Sequence, residues 1–250
     1  MENFNQTLDF LTTLNKEYSI FVPSLNRQVK FKGLTTKQQK DVVKSVLDRN
    51  AAGITFANLL CDIITESSVE PNINFLLVDR FYIIAVLRSL SLSPILNVGD
   101  EKIDLSFITQ VNIPVPQVLR TRIIEDSPLT VHIAIPNFKK EILINNESKK
   151  VTQTTEDKDE ITKEIIGELY IHELIKYIDK VSFKNGETVV DIDFNDINFA
   201  QKKQIVEKLP LTTNTAIVSY INEVKQFESK YFIKDGKAIN LNIDATFFTV

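Results

Sequence analysis

Apolar residues recur along the whole chain in two rhythms, and each predicts an element type. Val29 and Phe31 alternate with Lys30 and Lys32, the period of a half-buried strand. With Ser19-Ile20-Phe21-Val22 and the intervening Pro23-Ser24-Leu25-Asn26, they predict a β-hairpin or extended β-arm. Thr35 and Gln38 have the spacing of a capping box. The helix it starts should run to about residue 48 and bury Val42, Val43, Val46 and Leu47. Ile54, Leu59, Leu60, Ile63 and Ile64 mark a second helix, and Phe81, Ile84, Leu87 and Leu90 mark a third over residues 75–91. Ahead of all these, Phe4, Leu8, Leu11 and Asn15 share one side of a short amphipathic arm, with Phe10 and Leu14 nearby.

The middle of the chain changes character. Residues 102–111 and 130–144 read as short β-rich pieces broken by Pro114, Pro116, Pro128 and Pro136. Val131, Ile133 and Ile135 alternate, and Pro136-Asn137 is expected to turn that strand back into a second one over 138–144. Residues 145–160 are polar and read as an exposed loop or linker. They divide an N-terminal half, 1–145, from a C-terminal half, 161–250, with 146–160 between them. Beyond it, Ile171, Leu174, Ile175 and Ile178 give a helical stripe, and Asn185-Gly186 signals a hairpin. Helices are expected over 199–208, stopping at Pro210, and over 213–227, burying Ile217, Tyr220, Ile221 and Val224. A last hairpin turns at Asp235-Gly236. No fixed repeat emerges. The fold class expected is α+β: helices with several antiparallel β-hairpins, in two subdomains.

Composition narrows the function. In 250 residues, 29 Lys+Arg face 33 Asp+Glu, a net charge of -4 that argues against a nucleic-acid partner. No apolar stretch approaches the ~20 residues of a membrane span, and the start is not basic, so neither a membrane association nor a secretion signal is expected. A single cysteine, Cys61, forms no internal disulfide or thiolate zinc cluster, and its apolar helical surroundings suggest a core residue. Only 6 glycines occur, none clustered as a phosphate cradle requires. His132 and His172 have no partners at metal-ligand spacing.

The acidic run Asp191-Ile192-Asp193-Phe194-Asn195-Asp196 invites a calcium-loop reading. It lacks the glycine at the sixth position and the glutamate at the twelfth, which are Asp196 and Lys202 here. Ile192 and Phe194 should point inward instead, with Asp196 or Asn198 capping the next helix. No serine-nucleophile or Walker motif is present. A hydrolase built on dispersed carboxylates such as Glu164 and Asp179 is the alternative in a different class. The first reading is a non-enzymatic protein with no cofactor and no metal. Its partners would be met by the N-terminal arm (Phe4, Leu8, Leu11), the β-arm (Phe21, Val22, Val29, Phe31) and the C-terminal end (Phe247, Phe248, Val250).

Two stretches carry a family resemblance. One is Phe21-Val22-Pro23-Ser24-Leu25 with Val29-Lys30-Phe31-Lys32-Gly33-Leu34-Thr35-Thr36-Lys37-Gln38-Gln39-Lys40-Asp41. The other starts at Tyr177-Ile178-Asp179-Lys180-Val181, passes Asn185-Gly186 and Glu207-Lys208-Leu209-Pro210-Leu211, and reaches Val218-Ser219-Tyr220-Ile221. The ending Asp244-Ala245-Thr246-Phe247-Phe248 is also similar. In this order the chain resembles the baseplate hub protein family of T-even-type contractile-tailed bacteriophages, over about half its length. The resemblance implies a structural or assembly role in the host cytoplasm, and possible retention in the virion baseplate. It implies contacts with other tail or baseplate hub proteins, or with further copies in a homo-oligomer. The alternative within this reading is an assembly chaperone absent from the finished virion.

Overall fold

The computed structural model describes residues 7, 11, 14–47, 52–98, 101–153, 163–241, 243–244 and 246–248. The first elements follow their local chemistry. Strands β1 (Glu17–Val22) and β2 (Arg27–Lys32) form an antiparallel hairpin, with Ile20 opposite Val29 and Tyr18 opposite Phe31. Asn26 takes a positive φ of 52° in its turn. The expected capping box forms: Gln38 N donates to Thr35 Oγ1 at 3.2 Å, and Thr35 N donates to Gln38 Oε1 at 3.0 Å. It opens α1 (Thr36–Leu47), followed by α2 (Ala52–Ser67). A 3-10 turn then leads into α3 (Arg80–Ser91), which is buried on nearly every side and forms the axis of the core.

The middle of the chain holds the β3–β4 hairpin (Ile95–Val98, Glu101–Asp104), a 3-10 turn at Ser106–Gln110 and the one-turn α4 (Gln117–Arg120). Strands β5 (Thr121–Asp126) and β6 (Leu129–Ala134) pair across a turn with a cis Ser127-Pro128 bond. Helices α5 (Phe138–Gln153) and α6 (Lys163–Tyr177) follow, then β7 (Ile178–Asn185), β8 (Thr188–Asp193), α7 (Phe199–Glu207) and α8 (Leu211–Ser229). A small β9–β10 hairpin (Ile233–Lys234, Lys237–Ala238) precedes a final 3-10 turn at Thr246–Phe248. Mixed helices and several small antiparallel sheets make the fold α+β.

Three expectations need correction. Residues 138–144 are not a returning strand. Asn137 accepts from Lys140 N through Oδ1 at 2.8 Å and from Glu141 N through its carbonyl at 3.0 Å, so it starts a helix. That helix continues to Gln153, so residues 146–153 are not a linker. Its buried face is Phe138, Glu141, Ile144, Asn145 and Ser148. The helical period is intact, but polar residues occupy much of it, which hid it from an apolar reading. The rest of the expected linker lies outside the described residues.

The division into halves is also crossed. Antiparallel strands in the order β5-β6-β7-β8 form one sheet, and β6 from before residue 145 pairs directly with β7 from after 161, Val131 lying opposite Val181. One apolar core runs through both halves, from Val22 and Phe31 to Ile175 and Tyr220. A centroid row of Phe31, Phe75 and Phe138, at 5.9 and 5.6 Å, ties the first hairpin to α5.

The hairpin signals hold with one shift. Asp235 and Gly236, at φ 51° and 74°, are the two central residues of the last turn, as type I′ demands. Asn185, however, pairs with Thr188, so the central residues of the β7–β8 turn are Gly186 and Glu187. Gly186 supplies the positive φ, 64°, at the first central position.

Candidate functional site

Buried charge, rather than an exposed motif, organises the most distinctive chemistry. Arg80 opens α3, Glu141 lies in the first turn of α5 and Lys176 in the last turn of α6. All three are more than nine-tenths buried. Arg80 Nη1 donates to Glu141 Oε1 at 3.2 Å, and Lys176 Nζ lies 3.1 Å from Glu141 Oε2. Asn145 Nδ2 adds a bond to Glu141 Oε1 at 3.1 Å, and Lys176 reaches Glu173 at 3.0 Å. Burial on its own would raise Glu141, but Lys176 and Arg80 outweigh it and hold the carboxyl below its ordinary value. Removing one member would strand the others' charge in the core, which typically costs about 3–5 kcal/mol.

A cavity of about 580 Å³ opens on one side of this network, and Arg80 forms part of its wall. Phe56, Leu60, Phe81, Phe232, Leu241 and Ile243 make the apolar lining, with Lys225 and Glu228 of α8 supplying charge. Burial pushes the Glu228 carboxyl up to about 7, with Arg80 and Lys225 working against that rise. Beside it, Cys61 is fully buried in α2, and burial raises its thiol to about 11. A thiol so far from ionisation is a core residue rather than a nucleophile.

A second concavity, about 740 Å³, lies at the open end of the four-stranded sheet. Leu129, Val181, Phe183 and Ile192 line one side, and Ile205 and Leu209 the other. Phe183 is 37% exposed, and Leu211, in the first turn of α8 just past this groove, is 80% exposed.

The structure distributes the expected partner-binding residues unevenly. Val22, Val29 and Phe31 are at most 1% exposed, sealed inside this chain, and Phe21 is half-buried. Phe247 and Phe248 are also buried. Arg88 Nε donates to the Phe247 carbonyl at 2.9 Å, and Gln39 Nε2 donates to that of Phe248 at 3.4 Å. These five buried side chains are therefore corrected from partner contacts to core, because their apolar surface is already covered intramolecularly. Leu11 is exposed. Phe4, Leu8 and Val250 lie outside the described residues.

The histidines and carboxylates separate in the same way. His132 is half-buried on the outer face of β6. His172 is 2% exposed, its Nδ1 2.8 Å from Ser148 Oγ and its Nε2 3.9 Å from Glu168. The composition resembles a nucleophile triad, but the group is buried. Ser148 Oγ is also within reach of the Ile144 carbonyl at 3.1 Å, and at 4% and 2% exposure Ser148 and His172 are closed off from any substrate, as packed core residues are. Burial also lowers the His172 pKa. Asp179 is tied to Lys140 at 2.7 Å, and the Glu164 side chain lies outside the described residues. In the acidic run, Phe194 is buried and Asp191 and Asp193 face out, while Asn198 caps α7 in a capping box with Gln201. No group of three or more His, Cys, Asp or Glu among the described residues is arranged to hold a metal ion. No helix of the described residues is long and apolar enough to cross a membrane.

Arg80, Glu141, Lys176 and Glu228 were missed in the sequence, yet a signal exists. Arg80 precedes Ile83, Ile84 and Leu87 at helical spacing, and Glu141 falls between Phe138 and Ile144. A charge placed on the apolar period of a helix marks a buried ionic network. Comparison with known proteins finds no matching family model, no similar curated protein and no similar solved structure.

Proposed function

We propose that the chain is a structural or assembly component of a contractile phage tail baseplate hub, acting through protein–protein contacts and without catalysing a reaction. The observation that carries this reading is the groove at the sheet end. Leu129 and Phe183 pair across β6 and β7 on the same side as the fully covered Val131, yet Phe183 is 37% exposed and Leu129 only half-buried. This partly exposed apolar surface, rimmed by Gln201, Gln204 and Lys208, has the composition of an interaction patch. The resemblance in residues 21–41 and 177–221 supports a hub protein as the partner, met in the host cytoplasm.

The test is co-expression with the hub proteins of the same tail, followed by size-exclusion chromatography. Co-elution is expected for the wild type and loss of it for Phe183→Asp combined with Leu211→Asp, with unchanged circular dichroism. Co-elution by the folded double variant, or none by the wild type, would overturn the reading. Mass spectrometry of finished tails then separates a resident component from an assembly chaperone.

A further inference from the structure

The four-stranded sheet ends in two strands that differ as edges, β5 and β8. On β5, Thr121, Ile123 and Glu125 are exposed, Ile123 by 55%. The Arg120 carbonyl accepts from Ile135 N on the β6 side, so by ladder alternation the amide groups of Thr121, Ile123 and Glu125 point away from β6. Among the described residues nothing else bonds them. On β5, α8 bonds only the inward row, Arg122 through Glu223 at 2.6 Å and Asp126 through Thr212 and Thr213. An open edge with an apolar side chain at its centre is a template for another strand.

We propose that β5 pairs antiparallel with β5 of a second copy, in the two-fold register that sets Ile123 opposite itself. A two-fold contact requires a strand complementary to its own reverse, and β5 meets that condition. In this register Thr121 faces Glu125, Arg122 faces Ile124, and Arg120, just before the strand, faces Asp126, so no like charges meet. Arg120 spends Nε on the Val115 carbonyl at 3.4 Å and pairs with no carboxylate among the described residues. Its field reaches buried Asp79 without a bond. Asp126 gives only Oδ2 to the two threonines, which leaves Oδ1 for the copy's Arg120. Arg122 keeps Glu223. The other edge fails the same test. With β8 centred on Asp191, that carboxylate meets its own copy; centred on Ile192, Asp191 meets Asp193; centred on Val190, Asp193 meets Glu187. Lys180 offsets Asp191 at 2.8 Å, but Asp193 and Glu187 have no ion pair among the described residues. Like charges directly opposite one another destabilise a strand pair, and charge of this kind protects an edge. Pairing through β5 makes one continuous sheet across the two copies. This inference goes beyond the hub groove and does not rest on it.

The experiment is sedimentation equilibrium of the full chain, which needs no hub protein. The wild type should approach twice the 28.5 kDa of one chain, half-converted on the order of 10 µM. Ile123→Lys, which sets two like charges at the axis, should raise that concentration about tenfold or more, with circular dichroism showing that the variant is folded. Ile123→Cys should be joined to its copy by a short bis-maleimide, because hydrogen-bonded partners lie ~5.5 Å apart between Cα atoms. Val189→Cys, at a position 61% exposed on β8, should not be joined, and Cys61 is fully buried away from the reagent. The proposal is overturned by a wild type that is monomeric at about 100 µM, by undiminished association of folded Ile123→Lys, or by equal cross-linking at position 189.

Discussion

The first hairpin and the β7–β8 hairpin carry the same alternating pattern and meet different fates. In the first, Ile20, Val22, Val29 and Phe31 all lie at 2% exposure or less. Phe75 covers Phe31, the segment after α2 adds a bond from Val69 N to the Lys30 carbonyl at 2.9 Å, and buried Asp79 accepts from Ser24 N in the turn at 2.8 Å. In the second, Val181 is buried, yet Phe183 two residues further is 37% exposed and its partner on the same face, Val190, is only half-buried. Alternation states that a face is apolar, not what covers it. Cover came from elements distant in sequence, and over the β7–β8 hairpin it ran out between Val181 and Phe183.

Mutations can break this contrast, beginning with the rings themselves. Phe31→Ala should cost about 4 kcal/mol in urea unfolding, whereas Phe183→Ala should cost under about 1 kcal/mol. Equal losses would erase the distinction between the two hairpins. Phe247→Ala should cost about 3 kcal/mol, because its ring is fully buried. Deleting residues 246–250 should accordingly lower the melting temperature, rather than leave the fold intact as a free docking tail would.

Acid carboxyls separate the two regions next. Burial raises Asp79, beneath the first hairpin, from 3.8 to about 6, and raises Glu228, beside the cavity, from 4.5 to about 7. The folded chain holds both protons more tightly than the unfolded chain does. Their contribution to stability is therefore full below about pH 4 and is lost as pH rises to about 7, by about 2–3 kcal/mol for each group. Glu228→Gln should remove the loss between about pH 6 and 7 while leaving Asp79's loss below it, measured by urea midpoints across pH. At the smallest end, Val189→Thr should change stability by no more than about 0.5 kcal/mol.

Legibility followed locality. The Thr35–Gln38 capping box, the Asp235-Gly236 turn and the helical stripe of Ile171, Leu174 and Ile175 depend on neighbours within one or two turns and were readable, although the expected fourth member of the stripe, Ile178, opens β7 instead. α5 was not, because Glu141, Asn145 and Ser148 occupy its inward face and their partners, Arg80, Asn58 and His172, come from other helices. The cavity was equally hidden. Arg80 and Glu228 are 148 positions apart, and no local pattern signals their approach.

The order of residues determined, by itself, which segments turn, which cap a helix and which faces are apolar, since torsional preference and side-chain period act over a few residues. Tertiary structure alone decided that one sheet joins the two halves, that Phe31 and Phe247 are interior while Phe183 is not, and that Arg80 stands buried at the edge of a cavity. Burial and charge pairing are properties of what lies across space, and folding sets those neighbours only when the whole core closes.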